Sequence, residues 1–218
     1  MSSVRLSAII PTLNEGPTIK AALESCHSEG IDEIVVSDGG SMDSTRVATL
    51  DAGATFIQVS HAQRARQMNA GARAATGDVL IFLHADTLFA PGAVTALKVA
   101  IQNPKIVGGG FERRYQSDSK VLRASSAIGN ARARHLGWFF GDQAIWATAE
   151  AFKQLGGFPE KDIFEDLDFT RRLSRLGPTR LIAPGIITSA RRFRAGVLPR
   201  LMLDILLTVR HVCLDPTP

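Results

Sequence analysis

An α/β fold, a mostly parallel sheet of Rossmann-like βα units with helices on both faces, is predicted by two periodicities and their alternation. Short apolar runs rich in branched residues recur at 4–10, 31–37, 54–60 and 79–84. Near-continuous runs of this kind suit strands covered on both faces. Between them, apolar residues fall at helical spacing: Ile19, Ala22, Leu23 and Cys26, then Val47 and Leu50, then the Ala- and Gln-rich stretch 65–75 closed by Gly77. Strand and helix in alternation give parallel pairing with right-handed crossovers.

The second half is less regular. A helix is expected over 91–101, with Pro91 in its first turn. A strand follows at 106–114, loosened by Gly108, Gly109 and Gly110, and then a basic helix over 119–134. Gly156-Gly157-Phe158-Pro159 makes a turn, and 164–176 is a helix ended by Gly177-Pro178. A last strand is expected over 180–188. Leu198, Leu201, Met202, Ile205, Leu206 and Val209 then form one helical stripe. No repeat, low-complexity segment or linker divides the chain, so 1–218 is read as one domain. Its halves are about 1–90 and 91–195, with an amphipathic helix over about 197–212.

The composition is that of a globular chain: 218 residues, 45% hydrophobic and 21% charged. The net charge of +4 suits an anionic ligand, but no block of like charge marks a nucleic-acid arm. Two distant cysteines, Cys26 and Cys213, fit a reduced, cytoplasmic setting. The apolar run before Pro11 is too short for a signal-peptide core, and no stretch reaches the 18 or so apolar residues of a membrane span. The C-terminal stripe, flanked by Arg194, Arg200 and Arg210, is expected to pack on the domain. It also permits contact with the inner face of a membrane.

Ligands of parallel sheets collect at the carboxyl ends of the strands, which singles out three loops. The first is Pro11-Thr12-Leu13-Asn14-Glu15-Gly16, whose polar residues equally suit a helix N-cap. The second is Ser37-Asp38-Gly39-Gly40-Ser41-Met42-Asp43-Ser44. Here Asp38 ends a strand and the glycines permit close backbone approach. The third is His84-Ala85-Asp86-Thr87. Residues two apart on an extended segment share a side, so His84 and Asp86 are expected to face one site. A carboxylate with a substrate pyrophosphate suits Mg²⁺, and an imidazole beside it favours Mn²⁺. A fourth feature, Phe164-Glu165-Asp166-Leu167-Asp168, gathers three carboxylates at a helix N-terminus, where the helix dipole alone would favour them.

In this order and spacing the motifs Pro-Thr-x-Asn-Glu, Asp-Gly-Gly-Ser-x-Asp, x-Ala-Asp-Thr, Gly-Gly-Phe-Pro-Glu and Glu-Asp-x-Asp-x-x-x-Arg resemble the family 2 glycosyltransferases of GT-A type. The likeness extends to their short bacterial branch, labelled transferase 2, radical-SAM- or selenodomain-associated, and covers about residues 5–195. The resemblance implies an inverting transfer of sugar from a UDP- or GDP-sugar to an unknown hydroxyl acceptor. It places Pro11, Thr12, Asn14, Glu15 and Asp38 at the nucleoside, Arg66 near the phosphates or sugar, and Asp86 on a divalent cation, Mn²⁺ or Mg²⁺. Asp166 becomes the general base, with Glu165 as its competitor, and Trp146 lies toward the acceptor or in the core. Many members carry Asp where His84 stands, so His84 is a ligand, a neighbour of one, or neither. Arg191 and Arg192 either close over the pyrophosphate or form a solvated turn. The alternatives are a nucleotidyltransferase, which the non-basic first loop disfavours, and a non-catalytic nucleotide-sugar-binding protein. A dehydrogenase is disfavoured because no Gly-x-Gly-x-x-Gly follows the first strand.

Overall fold

The computed structural model describes residues 4–194 and 196–214. The first and last few residues of the 1–218 assignment thus lie outside the described residues. The amino-terminal half is β1 (Leu6–Thr12), α1 (Gly16–Ser28), β2 (Glu33–Asp38), α2 (Thr45–Asp51), β3 (Thr55–Gln58), α3 (Arg64–Ala74) and β4 (Val79–Phe82). The remainder is β5 (Thr87–Phe89), α4 (Ala93–Ala100), β6 (Gly108–Gln116), α5 (Lys120–Leu136), β7 (Trp146–Thr148), α6 (Ala149–Gln154), α7 (Glu165–Leu176), β8 (Thr179–Ser189) and α8 (Val197–Leu214). Three-residue 3₁₀ turns lie at Gly141–Gln143 and Arg191–Phe193.

All eight strands join one sheet in the order β3-β2-β1-β4-β7-β6-β8-β5. The first four pair in parallel, as the alternating periods predict. β7 then runs antiparallel to both β4 and β6, β6 pairs β8 in parallel, and β5 pairs β8 antiparallel. Helices cover both faces. Ala8 and Ile10 of β1 pack with Ile19, Leu23 and Val36 on one side, whereas Ile9 packs with Met68, Phe82 and Phe169 on the other. This two-sided burial is why β1 lacks polar alternation. Gly71 of α3 sits where any Cβ would come 2.4 Å from Ile9 Cγ2, so α3 lies unusually close to the sheet.

Three expectations need correction, and one open alternative, that of Trp146, is settled. The sequence showed no β5, β7 or α6, because three-residue strands and a six-residue helix are shorter than the patterns that reveal them. Trp146 lies within β7, opposite Ile81 and Gly109, and is fully buried in the core rather than on the acceptor side. The glycines of β6 do not loosen it. At Gly109 a Cβ would meet Arg180 O at 1.9 Å, so the glycine permits close approach of β8. Finally, the α8 stripe is not core: Leu198, Met202, Ile205, Leu206 and Val209 are all exposed. α8 instead docks through polar contacts. His211 Nε2 lies 2.8 Å from Asp168 Oδ1 and its ring stacks on Phe164, while Asp204 pairs with Arg192. Among the described residues no helix is long and apolar enough to cross a membrane.

Candidate active site

The first two loops are tied into one rim at the carboxyl ends of β1 and β2. Asn14 N donates to Ser41 Oγ (2.7 Å), Met42 N to Asn14 Oδ1 (2.9 Å), Glu15 N to Thr45 Oγ1 (2.9 Å) and Gly16 N to Asp43 Oδ2 (2.9 Å). Asn14 holds φ 53°, a left-handed conformation that Asn tolerates better than most residues. Beneath them, the buried Gln67 amide donates to Thr12 O (2.7 Å) and Ser37 O (3.0 Å), clamping the two strand ends. Asp38 is buried. Its carboxylate accepts from Thr12 Oγ1, Gly40 N and Ser41 N at 2.7–3.0 Å, and from Ser41 Oγ. It therefore organises the Gly-Gly turn as well as facing the rim. Pro11 and Thr12 are the last residues of β1 below this rim.

Asp86 and Glu15 meet across Arg191. The guanidinium donates through both Nη atoms to the Glu15 carboxylate and through Nε to Asp86 Oδ2 at 2.8 Å. Strand register brings it there. β5 pairs β8 with Thr87 opposite Thr188, and Ser189 N donates to Asp86 O (3.2 Å), so the turn after β8 falls beside Asp86. Burial pushes the Asp86 carboxyl above its usual range against the pull of Arg191. Burial also acts upward on Glu15, but hydrogen bonds from Arg191 and Thr18 outweigh it and hold that carboxyl low.

β4 ends at Phe82 and residues 85–86 form a turn, so the extended spacing between His84 and Asp86 is lost, although both feel the charge of Glu15. The His84 ring borders Gly141 and Asp166: a Cβ built on Gly141 would lie 3.0 Å from His84 Nε2 and 3.3 Å from Asp166 Oδ2. Burial pushes the imidazole down to about 4, with Arg64 and Arg192 adding to the shift, so the ring is neutral at pH 7. Its Nε2 is buried without a hydrogen-bond partner. Among the described residues no three His, Cys, Asp or Glu side chains are grouped to hold a metal. A cation on Asp86 would thus need its remaining ligands from phosphate and water, the usual arrangement for Mg²⁺ at such sites.

The three carboxylates of α7 have separate partners. Asp168 accepts from Lys161 Nζ (2.8 Å) and faces His211, so it anchors α8. Glu165 is buried and lies 3.4 Å from Arg64 Nη1. Asp166 accepts from Gly141 N and Leu167 N, each at 2.7 Å, and lines a cavity of about 600 Å³ with Glu165 and His84. Burial raises both carboxyls, Glu165 to about 7 with its neighbour Asp166 adding to the shift. Phe164 starts the helix in the left-handed region at φ 63°, and Ala144 ends the facing 3₁₀ turn at φ 44°. Such conformations in non-Gly residues cluster at functional sites. The turn leading into this segment is pinned from two sides. Asn69 exchanges two 2.9 Å hydrogen bonds with the Phe158 backbone, and Arg172 donates to Leu155 O and Gly157 O.

Two features were assigned differently by sequence or missed. Arg66 points to the surface, paired with Glu160 at 2.9 Å, and Arg64 is the arginine of α3 that lines the cavity. Helical phase does not separate them: both arginines are exposed and each has a buried polar residue three places on, Gln67 for Arg64 and Asn69 for Arg66. The missed feature is a buried pair beneath Asp166. Asp142 meets Arg113 Nη1 at 2.5 Å and the Tyr115 hydroxyl at 3.0 Å. Burial would raise the Asp142 carboxyl, but the guanidiniums of Arg113 and Arg192 more than offset it.

Residues 7–165 match the glycosyl transferase family 2 model, and the chain belongs to that family. Among curated proteins it is similar to glucosyl-3-phosphoglycerate synthase of Mycobacterium tuberculosis, 28% identical over an alignment of 153 residues. That alignment covers 60% of this chain and 45% of the relative, so the chain spans about half the length of the curated relatives it matches. Among solved structures, a Pyrobaculum calidifontis mannosyltransferase in complex with GDP-Man and Mn²⁺ superposes with TM-score 0.69 at 22% identity, covering 87% of this chain and 57% of that one. S. aureus TarS 1-349 in complex with UDP gives 0.69 at 16% identity, covering 85% and 60%. The M. tuberculosis synthase with Mn²⁺, UDP and glucosyl-3-phosphoglycerate gives 0.60 at 18%, covering 85% and 70%. At these identities the shared property is the fold.

Arg113→Met should destabilise the protein by about 3–5 kcal/mol, because it leaves Asp142 buried without its main counter-charge. Urea denaturation followed by circular dichroism reads this. Arg113→Met together with Asp142→Leu should recover a large part of the loss.

Proposed function

We propose that this domain transfers a sugar from a nucleotide-sugar donor, UDP- or GDP-linked, to an acceptor hydroxyl with inversion, and that it belongs to the short transferase 2 branch. The observation that carries the reading is the placement of Asp166. A buried carboxylate, raised above its usual range, lines a cavity together with Glu165 and His84. Donor binding falls to residues about 1–90, acceptor binding to about 91–195, and α8 covers the acceptor side. Support comes from the family membership and from the fold shared with enzymes captured with GDP-Man or UDP.

In this reading Pro11, Thr12, Asn14, Glu15 and Asp38 frame the nucleoside. Asp86 holds a divalent cation, Mn²⁺ or Mg²⁺, which when bound supplies Lewis-acid stabilisation of the diphosphate. Arg191, released from Asp86, meets the phosphates from the turn after β8, and Arg64 takes the sugar-side position expected of Arg66. His84 belongs to the acceptor side by its contact with Asp166. Asp166 removes the acceptor hydroxyl proton as the oxygen bonds to the anomeric carbon. The bond to the diphosphate breaks with its electron pair on the leaving nucleoside diphosphate. Attack from the face opposite the leaving group inverts the centre. A nucleotidyltransferase would need a basic cradle for a triphosphate in the first loop, where Glu15 stands instead. The outward face of α8 suits peripheral contact with an anionic membrane, since Leu198, Met202 and Leu206 are exposed beside Arg194 and Arg210.

Asp166→Asn should lower turnover about 10²–10⁴-fold and leave donor affinity near wild type. If instead only Glu165→Gln has this effect, the base is Glu165. The pH profile adds a sign. A base with a raised pKa works only when ionised, so turnover should fall as the pH drops through a value above the ordinary carboxylate range. Stability runs the other way. The folded state keeps a proton on Glu165 that the unfolded chain loses near 4.5, so this contribution is present below 4.5 and is lost as pH rises to about 7.

Asp86→Ala should abolish Mn²⁺-dependent binding of nucleoside diphosphate in calorimetric titration while the melting temperature without ligand stays close to wild type. Unchanged affinity would remove Asp86 from the cation. Sedimentation with anionic liposomes at low salt should carry the protein down, and Met202→Glu with Leu206→Glu should keep it in the supernatant. No co-sedimentation of the wild type would exclude the membrane contact.

A further inference from the structure

We infer that the acceptor taken by the cavity beside Asp166 is an apolar alcohol, a hydrocarbon compound carrying a neutral hydroxyl. The inference rests on the transferase reading above and gives it a substrate class. The cavity holds about 600 Å³, ample for a molecule well beyond a small polar acid. Its outer wall is hydrocarbon: Val121 and Ile128 of α5, Ile163 ahead of α7, and Ile205 and Val209 of α8. All five are exposed to solvent, Ile128 at 72%, Ile163 at 60% and Ile205 at 59%. Exposed apolar side chains scattered singly need no explanation, but ones converging on a single concavity mark a binding surface.

The floor of the same cavity is polar, and most of its guanidiniums already face carboxylates. Arg64 faces Glu165, Arg113 faces Asp142, and Arg192 and Arg200 both face Asp204. The Arg132 guanidinium donates to Trp138 O and Gln143 Oε1 and lies over the Phe140 ring. An acidic acceptor would have to compete with carboxylates for four of these guanidiniums and with neutral acceptors for Arg132. A hydroxyl needs none of them. It needs a base and a neutral polar partner, and both line the cavity: Asp166, and the neutral His84 ring, whose Nε2 has no hydrogen-bond partner. The geometry therefore orders the acceptor, hydroxyl inward at Asp166 and hydrocarbon outward between α5 and α8.

Titration of the full chain with a dansyl-labelled undecanol tests this. Saturable fluorescence enhancement is expected, well above that given by dansylamide. Ile128→Glu with Ile205→Glu should weaken it at least tenfold, with Ile163→Asp as an independent wall variant should the double variant fail to fold. Met202→Glu, on the outward face of α8 away from the cavity, should leave it unchanged. Equal loss in Met202→Glu and the wall variants, or no enhancement over dansylamide, would overturn the inference. So would competition by 3-phosphoglycerate, which would show an acidic acceptor. Titration with UDP or GDP and Mn²⁺ keeps the two readings apart. Nucleotide binding without alcohol binding overturns the acceptor class alone, whereas failure to bind any nucleotide removes the transferase reading beneath it.

Discussion

The site depends on one short strand. β7, three residues long, runs antiparallel between β4 and β6 and converts two half-sheets into one. Its partners are Ile81 of the nucleotide-side half and Gly109 of the other, with Trp146 filling the core between them. Directly before β7 comes the 3₁₀ turn carrying Gly141 and Asp142, so the strand sets the turn that donates to Asp166. The indole of Trp146 is fully enclosed beside these pairings, and its Nε1–H is buried without a hydrogen-bond partner.

From this junction the carboxylates sort themselves by partner. Glu15 and Asp86 share Arg191, Asp142 takes Arg113, Glu165 faces Arg64, and Asp168 is held by Lys161 and His211. Asp166 alone among these rests on backbone N–H groups, from Gly141 and Leu167. Burial raises its proton affinity, and the backbone donors together with the charge of Arg64 only partly offset that. The same stretch of sequence, Glu165 to Asp168, thus yields a base, a paired neighbour and a structural anchor.

The nucleotide-side half was legible because its strands and helices are long enough for periodicity to show, and its loops follow from the strand-end rule. The carboxylate cluster at 165–168 was visible as a cluster, but nothing in its spacing separates Asp166 from Asp168; only the positions of Lys161 and His211 do. The alternation argument for His84 and Asp86 needs an extended backbone, and β4 stops at Phe82, so their placement had to come from the structure. Helical phase does not distinguish Arg66 from Arg64, since each precedes a buried polar residue by three places. Arg113 was not recoverable: a charged residue in a glycine-rich strand reads as exposed until its buried partner, 29 residues on, is known. α8 misled for the opposite reason, since an apolar stripe reads as core unless the structure shows that nothing covers it.

One planar group, the Arg191 guanidinium, serves two acidic side chains that stand on different loops and 71 residues apart in the chain. Its Nη atoms donate to Glu15 and its Nε to Asp86, so one side chain neutralises both. The turn after β8 is thereby riveted to two loops that the sheet itself does not join, and a single substitution at position 191 would leave both carboxylates without their shared counter-charge.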